Sequence, residues 1–363
     1  MPLWVIVTLV LTGIGVGFAE PGRFSYAFGA ATLYVFLPPL LFEAAWKLDP
    51  RQLLGVWKPV FALAVPGVAI TTAVVAGALV LSGFAWPPAL LVGAMVSATD
   101  PIAVVAIFRR VAVPAKLSTI VQGEALLNDG MAVVLYRGML LAIAGGLTVR
   151  SSAWATADAL LGILVGVTLG ITLAFAIAHL VIRRHGASTQ IIATLGGAYA
   201  VYFAGDALHA SGVFAVVAFG IALREVERRF ITVTVVEDVE RFWDVLALCA
   251  NSLVFVLTGA AIDLWRVGHA PLAAAAALCG ILAARLVLAY VLTPLAMGRF
   301  DRPWLKIVQV ANARGALSLA MALALPLSIA ARSTIIDVTF TVVLATLLSS
   351  AFTVPRAAAA FKS

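Results

Sequence analysis

The feature that most constrains this chain is a series of long apolar segments separated by short polar loops. Of its 363 residues, 63% are hydrophobic and 11% are charged, whereas about a quarter of an ordinary soluble domain is charged. A helix needs about 20 apolar residues to cross the hydrocarbon layer. We therefore predict an all-α integral membrane protein with about twelve transmembrane helices, at approximately 3–19, 27–46, 58–83, 86–108, 117–146, 153–182, 188–205, 211–223, 240–262, 270–294, 304–330 and 333–355.

The basic residues predict how these helices are oriented. Loops after even-numbered segments, with the C-terminal tail, hold 17 lysines and arginines, loops after odd-numbered segments hold four, and three lie inside segments. Because basic residues concentrate on the cytoplasmic side, we expect both termini in the cytoplasm and the protein in the inner (plasma) membrane. The net charge of +7 is spread over these loops. Lipid headgroups account for it, and no nucleic-acid partner is expected.

A few ionisable residues fall inside the apolar segments, where they are costly unless paired or hydrated. Asp100 precedes Pro101, which disfavours helix at that point. Arg314 precedes Gly315 near the middle of another segment. Interrupted helices at membrane depth are tolerated where they line a cavity or pack inside protein. Two such helices are typical of an ion site in a transporter.

The polar residues of the 117–146 segment lie in one sector of a helix. Glu124 and Asn128 are four residues apart and share a face, and Asp129 points about 100° round from Asn128. We expect these side chains to approach the two helix interruptions.

The order of the segments predicts an inverted repeat. Segments three to five and ten to twelve are offset by seven, and an odd offset inverts the second group in the membrane, as in inverted-repeat transporters. We therefore expect an ion-transport core bundle at 58–146 and 270–355. Residues 1–57 and 147–269 would form a scaffold and dimerisation bundle with its linkers.

Six motifs follow the order found in one transporter family, and together they cover nearly the whole chain. They are LPPLLFE (37–43), ATDPIAV (98–104), GEALLNDG (123–130), HASGVFAVV (209–217), FWDVLA with NSLVF (242–255) and ARGALSLA (313–320). On these motifs the chain resembles the monovalent cation–proton antiporters, the family that includes the bacterial sodium–proton exchangers. The resemblance implies an antiporter fold with two interrupted, crossing helices.

The resemblance also implies roles for particular residues. Asp129 would bind either the cation or the proton, with Asn128 as its neutral neighbour, and Asp100 and Thr99 would line the broken helix beside it. Asp129 and Asp100 would be the direct ligands of the metal cation.

A structural ion pair is implied between Glu124 and Arg314, holding the two interrupted regions together. The chain departs from the family at Ala125, where a serine is usual. The resemblance also implies that the chain is one span short at the N-terminus, since thirteen spans are usual.

The function expected from these residues is antiport of a monovalent cation, with sodium expected, against a proton. The Asn128–Asp129 pair resembles the electroneutral branch, which exchanges one cation for one proton. Lithium and potassium are further candidate substrates. Alternatives are a potassium–proton antiporter, a cation channel or solute symporter, and an inactive sensor homologue. No cofactor is expected, and no nucleophile–base pair or metal cluster indicates an enzyme. A homodimer in contact with membrane lipid is expected.

Overall fold

The computed structural model describes residues 3–19, 26–100, 104, 108, 113–145, 149–182, 186–230, 233–260, 270–297 and 302–359. The described part is helical and contains no strand, which confirms the predicted all-α fold. Several residues used in the sequence analysis lie outside the described ones, namely Pro101 and the basic residues Arg23, Arg109, Arg110, Arg183, Arg184, Arg266, Arg299 and Lys362.

The first half of the described chain contains six helices. They are α1 (Leu3–Ala19), α2 (Tyr26–Lys47), α3 (Pro50–Gly55), α4 (Trp57–Leu81), α5 (Trp86–Met95) and α6 (Ala115–Ala144).

The second half continues with nine helices among the described residues, two of which end in a π-helical turn. They are α7 (Val149–Ile177, with the turn Ala178–Ile182), α8 (Ala187–Ala207), α9 (Gly212–Phe230), α10 (Val233–Ala260), α11 (Pro271–Val287, with the turn Leu288–Leu292), α12 (Thr293–Met297), α13 (Arg302–Val310), α14 (Ala316–Leu323) and α15 (Arg332–Ala359).

Five helical stretches among the described residues are long and apolar enough to cross a membrane: Trp57–Leu81, Ala115–Ala144, Ala157–Val181, Pro271–Ala296 and Arg332–Ala357. Val5–Ala19 and Trp86–Met95 are apolar but shorter. The count of twelve spans therefore stays a prediction. One reason is that the segment predicted at 304–330 forms two short helices, α13 and α14, with non-helical residues between them.

The chain divides into two compact units, and the first consists of Met1–Leu33, Val56–Leu140 and Ser252–Ser363. Its helices approach closely through small residues. A Cβ atom at Gly93 in α5 would stand 2.5 Å from the Thr72 carbonyl oxygen in α4. Such close backbone contact is typical of helix pairs in membranes. A buried apolar cluster, which includes Ile6, Phe255 and Phe340, lies in the same unit.

The second unit consists of Tyr34–Gly55 and Leu141–Asn251. Its core contains a cluster of aromatic rings, in which the centroids of Phe42 and Trp243 are 4.3 Å apart and those of Phe42 and Phe219 are 5.4 Å apart. Ion pairs join the polar helix ends next to this cluster: Lys47 with Glu43 and Asp244, Arg51 with Glu225, and Arg224 with Glu240.

The compact units follow different boundaries from the functional bundles expected from the sequence. The segments predicted as the core bundle, 58–146 and 270–355, fall in the first unit except for their residues after Leu140. Met1–Leu33 and residues 252–269 also belong to that unit, although the sequence predicts them in the scaffold. Which segments move during transport stays a prediction.

Close packing of α7 against α9 in the second unit gives a first testable prediction. A Cβ atom at Gly170 would stand 2.1 Å from the Ala215 carbonyl oxygen. Relieving this contact would require the helix backbone to move. Gly170→Ala should therefore lower the thermal stability of the purified protein, by about 1–3 kcal/mol for an overpacked contact. Gly196→Ala in α8 is the matched control, because nothing lies within 4 Å of its Cβ position. Equal melting temperatures for the two variants would contradict the prediction.

A buried carboxyl beyond the apolar part of α9 makes stability depend on pH. Glu227 is fully buried, and neither carboxylate oxygen has a hydrogen-bond partner among the described residues. Burial raises the pKa of Glu227 from 4.5 to about 8, with Arg224 opposing this shift and Glu240 adding to it. The folded state therefore binds the proton more tightly than the unfolded chain. The resulting stabilisation is complete below about pH 4.5 and is lost as the pH rises through about 8.

Glu227→Gln should remove this pH dependence, because an amide does not titrate. The melting temperature of the variant minus that of the native protein should be higher at pH 9 than at pH 5. Thermal unfolding in detergent at both pH values checks this, with the exposed Glu237→Gln as control. A difference from the native protein that is equal at the two pH values would rule out Glu227 as the titrating group.

Candidate functional site

The first unit contains two places where a helix stops inside an otherwise apolar stretch. Helix α5 ends at Met95, and residues 98–100 are non-helical. Ser97 turns its hydroxyl back to the Ala94 carbonyl oxygen (2.6 Å), which satisfies one of the free acceptors at the helix end. Thr99 is buried and Asp100 is half-buried. The break therefore presents polar groups within apolar surroundings.

The second break separates α13 from α14. Residues 311–315 are non-helical, and α14 begins at Ala316 after an extended Gly315. The Asp100 amide donates a hydrogen bond to the Ala313 carbonyl oxygen (2.8 Å). This bond joins the two breaks directly, as expected for two interrupted helices that meet at their breaks.

Helix α6 fastens to the first break through Asn128. The Thr99 amide donates to Asn128 Oδ1 (3.2 Å), and Asn128 Nδ2 donates to Thr99 Oγ1 (2.6 Å). The oxygen and the nitrogen of the Asn128 side-chain amide thus both bond to Thr99, and both residues are buried. Asn128 therefore holds α6 in register with the break, in addition to being a neutral neighbour of Asp129.

Asp129 follows Asn128 on α6 and therefore lies near the same break. Its carboxylate is half-buried and interacts electrostatically with Asp100 and Arg314. Within the described part of the chain it receives no hydrogen bond and forms no ion pair. A carboxylate held at this depth without a fixed partner can accept a proton or a cation.

Arg314 is fully enclosed and is held by carbonyl and amide oxygens. Its Nη1 donates to the carbonyl oxygens of Ser97 (2.7 Å) and Ala98 (3.0 Å), and its Nη2 donates to Asn312 Oδ1 (2.9 Å). Its backbone amide donates to Thr346 Oγ1 (3.2 Å). The guanidinium therefore places a positive charge just beyond the C-terminal end of α5, where the helix dipole favours a cation.

Glu124 pairs with a different arginine from the one expected. Its Oε1 accepts a hydrogen bond from Arg285 Nη1, and Arg285 Nη2 donates to the Ala311 carbonyl oxygen at the second break. No ion pair between Glu124 and Arg314 occurs among the described residues, although the two charges attract at longer range. The structural pair predicted between Glu124 and Arg314 is thus replaced by Glu124 with Arg285, because Arg314 is occupied by the carbonyls of the first break.

Arg285 is the site residue whose place the sequence did not reveal. An arginine inside the apolar segment 270–294 is exceptional in itself, but its partner Glu124 lies 161 residues away along the chain. Sequence separation of that kind gives no spacing from which a contact could be inferred.

The donor set has the chemistry of a site for a hard monovalent cation. Its oxygens come from the half-buried carboxylates Asp100 and Asp129 and from the Thr99 hydroxyl. Hard cations prefer such oxygen ligands. No group of three or more His, Cys, Asp or Glu residues that could hold a metal ion occurs among the described residues. Ala125, one turn before Asp129 on α6, is buried and has no side-chain oxygen.

Comparison with known proteins gives a consistent result. The family described as sodium/hydrogen exchanger, transmembrane, matches residues 1–359. The Na(+)/H(+) antiporter ApNhaP of Aphanothece halophytica is 32% identical over 355 residues, which is 95% of this chain and 67% of that protein. The Na(+)/H(+) antiporter NhaH of Halobacillus dabanensis is 31% identical over 370 residues, covering 96% of this chain and 89% of that protein.

A solved structure shares the fold. The sodium proton antiporter MjNhaP1 from Methanocaldococcus jannaschii, at pH 8, superposes with a TM-score of 0.80. The two sequences are 22% identical, and the match covers 95% of this chain and 92% of the other. At this identity the likeness concerns the architecture of the chain.

The pairing of Glu124 gives a prediction that separates the two arginines. Arg285→Gln should destabilise the protein by roughly 3–5 kcal/mol, because it leaves the Glu124 carboxylate buried without its basic partner. The double variant Glu124→Gln with Arg285→Gln should recover part of that loss. A double-mutant cycle on thermal unfolding measures the coupling. The same cycle between Glu124 and Arg314 is the comparison, and a larger coupling there would contradict the observed pairing.

Proposed function

This chain belongs to the sodium/hydrogen exchanger family, and we propose that it is a secondary antiporter exchanging a monovalent cation, with sodium as the expected substrate, for a proton. The single observation that carries the proposal is the placement of Asp129. Its carboxylate is half-buried, has no hydrogen-bond or ion-pair partner among the described residues, and lies beside two joined helix breaks. The antiporters to which the chain is similar support the same activity.

Coupling follows from competition at Asp129. A carboxyl that holds a proton has given up the charge that attracts a cation, and a carboxylate that coordinates a cation excludes the proton. Asn128 cannot take a second proton, because it is a neutral amide and both of its polar groups are engaged with Thr99. We therefore infer that one proton is exchanged for one cation, so that transport is electroneutral.

The other ligands would come from the first break. Asp100 is half-buried beside the second break, and the Thr99 hydroxyl already accepts a hydrogen bond from Asn128. Thr99 Oγ1 keeps acceptor capacity for a cation, because a hydroxyl oxygen has two lone pairs. We infer that Asp129 and Asp100 are the charged ligands and that Thr99 adds a neutral oxygen.

Alternating access would expose this site to each side of the membrane in turn. We infer that segments 58–146 and 270–355 carry the site and move, and that 1–57 and 147–269 serve as the scaffold through which two copies dimerise in contact with lipid. The loop charges support an orientation with both termini in the cytoplasm, in the inner membrane.

Other functions make different predictions for the native protein in vesicles. A potassium–proton antiporter would give larger proton movements with potassium than with sodium or lithium. A cation channel would pass voltage-driven current without coupled proton flux. An inactive sensor homologue, favoured by the missing hydroxyl at Ala125, would move no protons with any of the three cations.

Replacing the carrier carboxylate is the direct test of the proposal. Asp129→Asn should abolish sodium-dependent proton movement in everted vesicles followed with a fluorescent pH indicator, because the amide neither titrates nor carries charge. Exchange by the native protein should saturate with sodium and persist when the membrane voltage is clamped near zero.

The matched control for this test is Asp158→Asn, which neutralises an exposed carboxylate on α7. It should leave the exchange unchanged. Near-normal exchange by Asp129→Asn, at equal amounts of protein in the vesicles, would refute the assignment of Asp129.

A further inference from the structure

One glycine lies where the two helix breaks meet. A Cβ atom built at Gly315 would stand 2.6 Å from Asp100 Cβ, 2.7 Å from Asp100 Oδ2 and 2.9 Å from Asp100 Cγ. Non-bonded carbon atoms are normally separated by about 3.5–4.0 Å. The Asp100 side chain therefore occupies the volume that any side chain at position 315 would need.

The backbone conformation does not explain why a glycine is present. Gly315 has φ −121° and ψ −164°. This is extended backbone, which any residue adopts. Gly83 is different, because its φ of +100° lies in the region that favours glycine. At position 315, space is the property that glycine supplies.

We propose that Gly315 is a positioning residue for the cation site: by lacking a side chain, it lets the Asp100 carboxylate lie against the second helix break. This inference rests on the proposed function, in which Asp100 is a ligand. It adds to the site a residue that immediately precedes α14. The other proposed site residues lie at the first break and on α6.

Asp100 has little freedom to avoid an added methyl group. The nearest atom is its Cβ, whose position is set by the backbone, and its amide is bonded to the Ala313 carbonyl oxygen. The preceding residue, Thr99, is held on two sides by Asn128. Rotation of the carboxylate alone would leave the contact between the two Cβ atoms in place.

The other side of the contact is held equally firmly. Arg314, next to Gly315, is bound through its guanidinium to Ser97 and Ala98 and through its amide to Thr346. A side chain at position 315 must therefore move the Asp100 carboxylate or separate the two breaks. In either case the distance between the Asp100 and Asp129 carboxylates changes, and with it the fit of the cation.

The consequence is specific to cation affinity. A displaced Asp100 weakens cation coordination, whereas Asp129 can still exchange its proton. Gly315→Ala should raise the apparent KM for sodium about tenfold, which corresponds to the loss of about 1.4 kcal/mol of binding. It should leave the maximal rate per mole of protein within about twofold and change the ratio of lithium to sodium KM values. A purely structural defect would lower the amount of active protein without changing KM or this ratio.

Gly77→Ala in α4 is the matched control, because nothing lies within 4 Å of its Cβ position and it belongs to the same unit. It should keep the native KM and lithium-to-sodium ratio. Both variants are compared with the native protein in proteoliposomes over a range of sodium and lithium concentrations. Native KM values and a native ratio in Gly315→Ala would overturn the proposal.

A second experiment applies where Gly315→Ala is too unstable for transport assays. Asp100→Gly removes the Cβ atom that the new methyl group would meet, so Gly315→Ala should lower the melting temperature in the native background and have little effect with Asp100→Gly. Equal losses in the two backgrounds would overturn the proposed positioning. This measurement does not depend on transport. If the native protein shows no exchange at all, the proposed function fails separately from the contact between Gly315 and Asp100.

Discussion

The hydrogen bond from the Asp100 amide to the Ala313 carbonyl oxygen joins two stretches of chain that have left the helical conformation within apolar surroundings. Backbone groups without partners in hydrocarbon cost several kcal/mol each, so an interrupted helix persists only when other groups satisfy the free donors and acceptors. The remaining contacts at the breaks meet this requirement. Asn128 accepts from the Thr99 amide, and Arg314 donates to the Ser97 and Ala98 carbonyls.

The need to satisfy free backbone groups also explains where the charged residues of the site lie. Arg314 is held by the carbonyls of the first break, and Arg285 connects Glu124 with the Ala311 carbonyl of the second. Each buried cation therefore satisfies backbone acceptors as well as attracting an acid. Asp129 differs, since the described residues give it no fixed partner. A site that must release what it binds requires such a group, whereas the surrounding charges need to stay in place.

Much of the fold could be predicted from the sequence because its signals are local. Apolar segments of membrane-spanning length predict helices. Charged residues such as Asp100 and Arg314 are exceptional within such segments, whatever the direction of their side chains. The shared face of Glu124 and Asn128 follows from the period of one helix. The number of spans is harder to predict, because a segment such as 304–330 is apolar throughout and yet forms two short helices.

The sequence by itself determined that this chain enters a membrane, that two of its helices are interrupted, and that Asp100, Asn128 and Asp129 are available to a site, because composition and helical period are properties of neighbouring residues. Only the tertiary structure decided which residues meet. It paired Glu124 with Arg285 rather than Arg314, and it placed Gly315 against Asp100. These contacts join residues more than 150 positions apart, and they depend on how the two breaks cross and on which buried donors and acceptors remain to be satisfied.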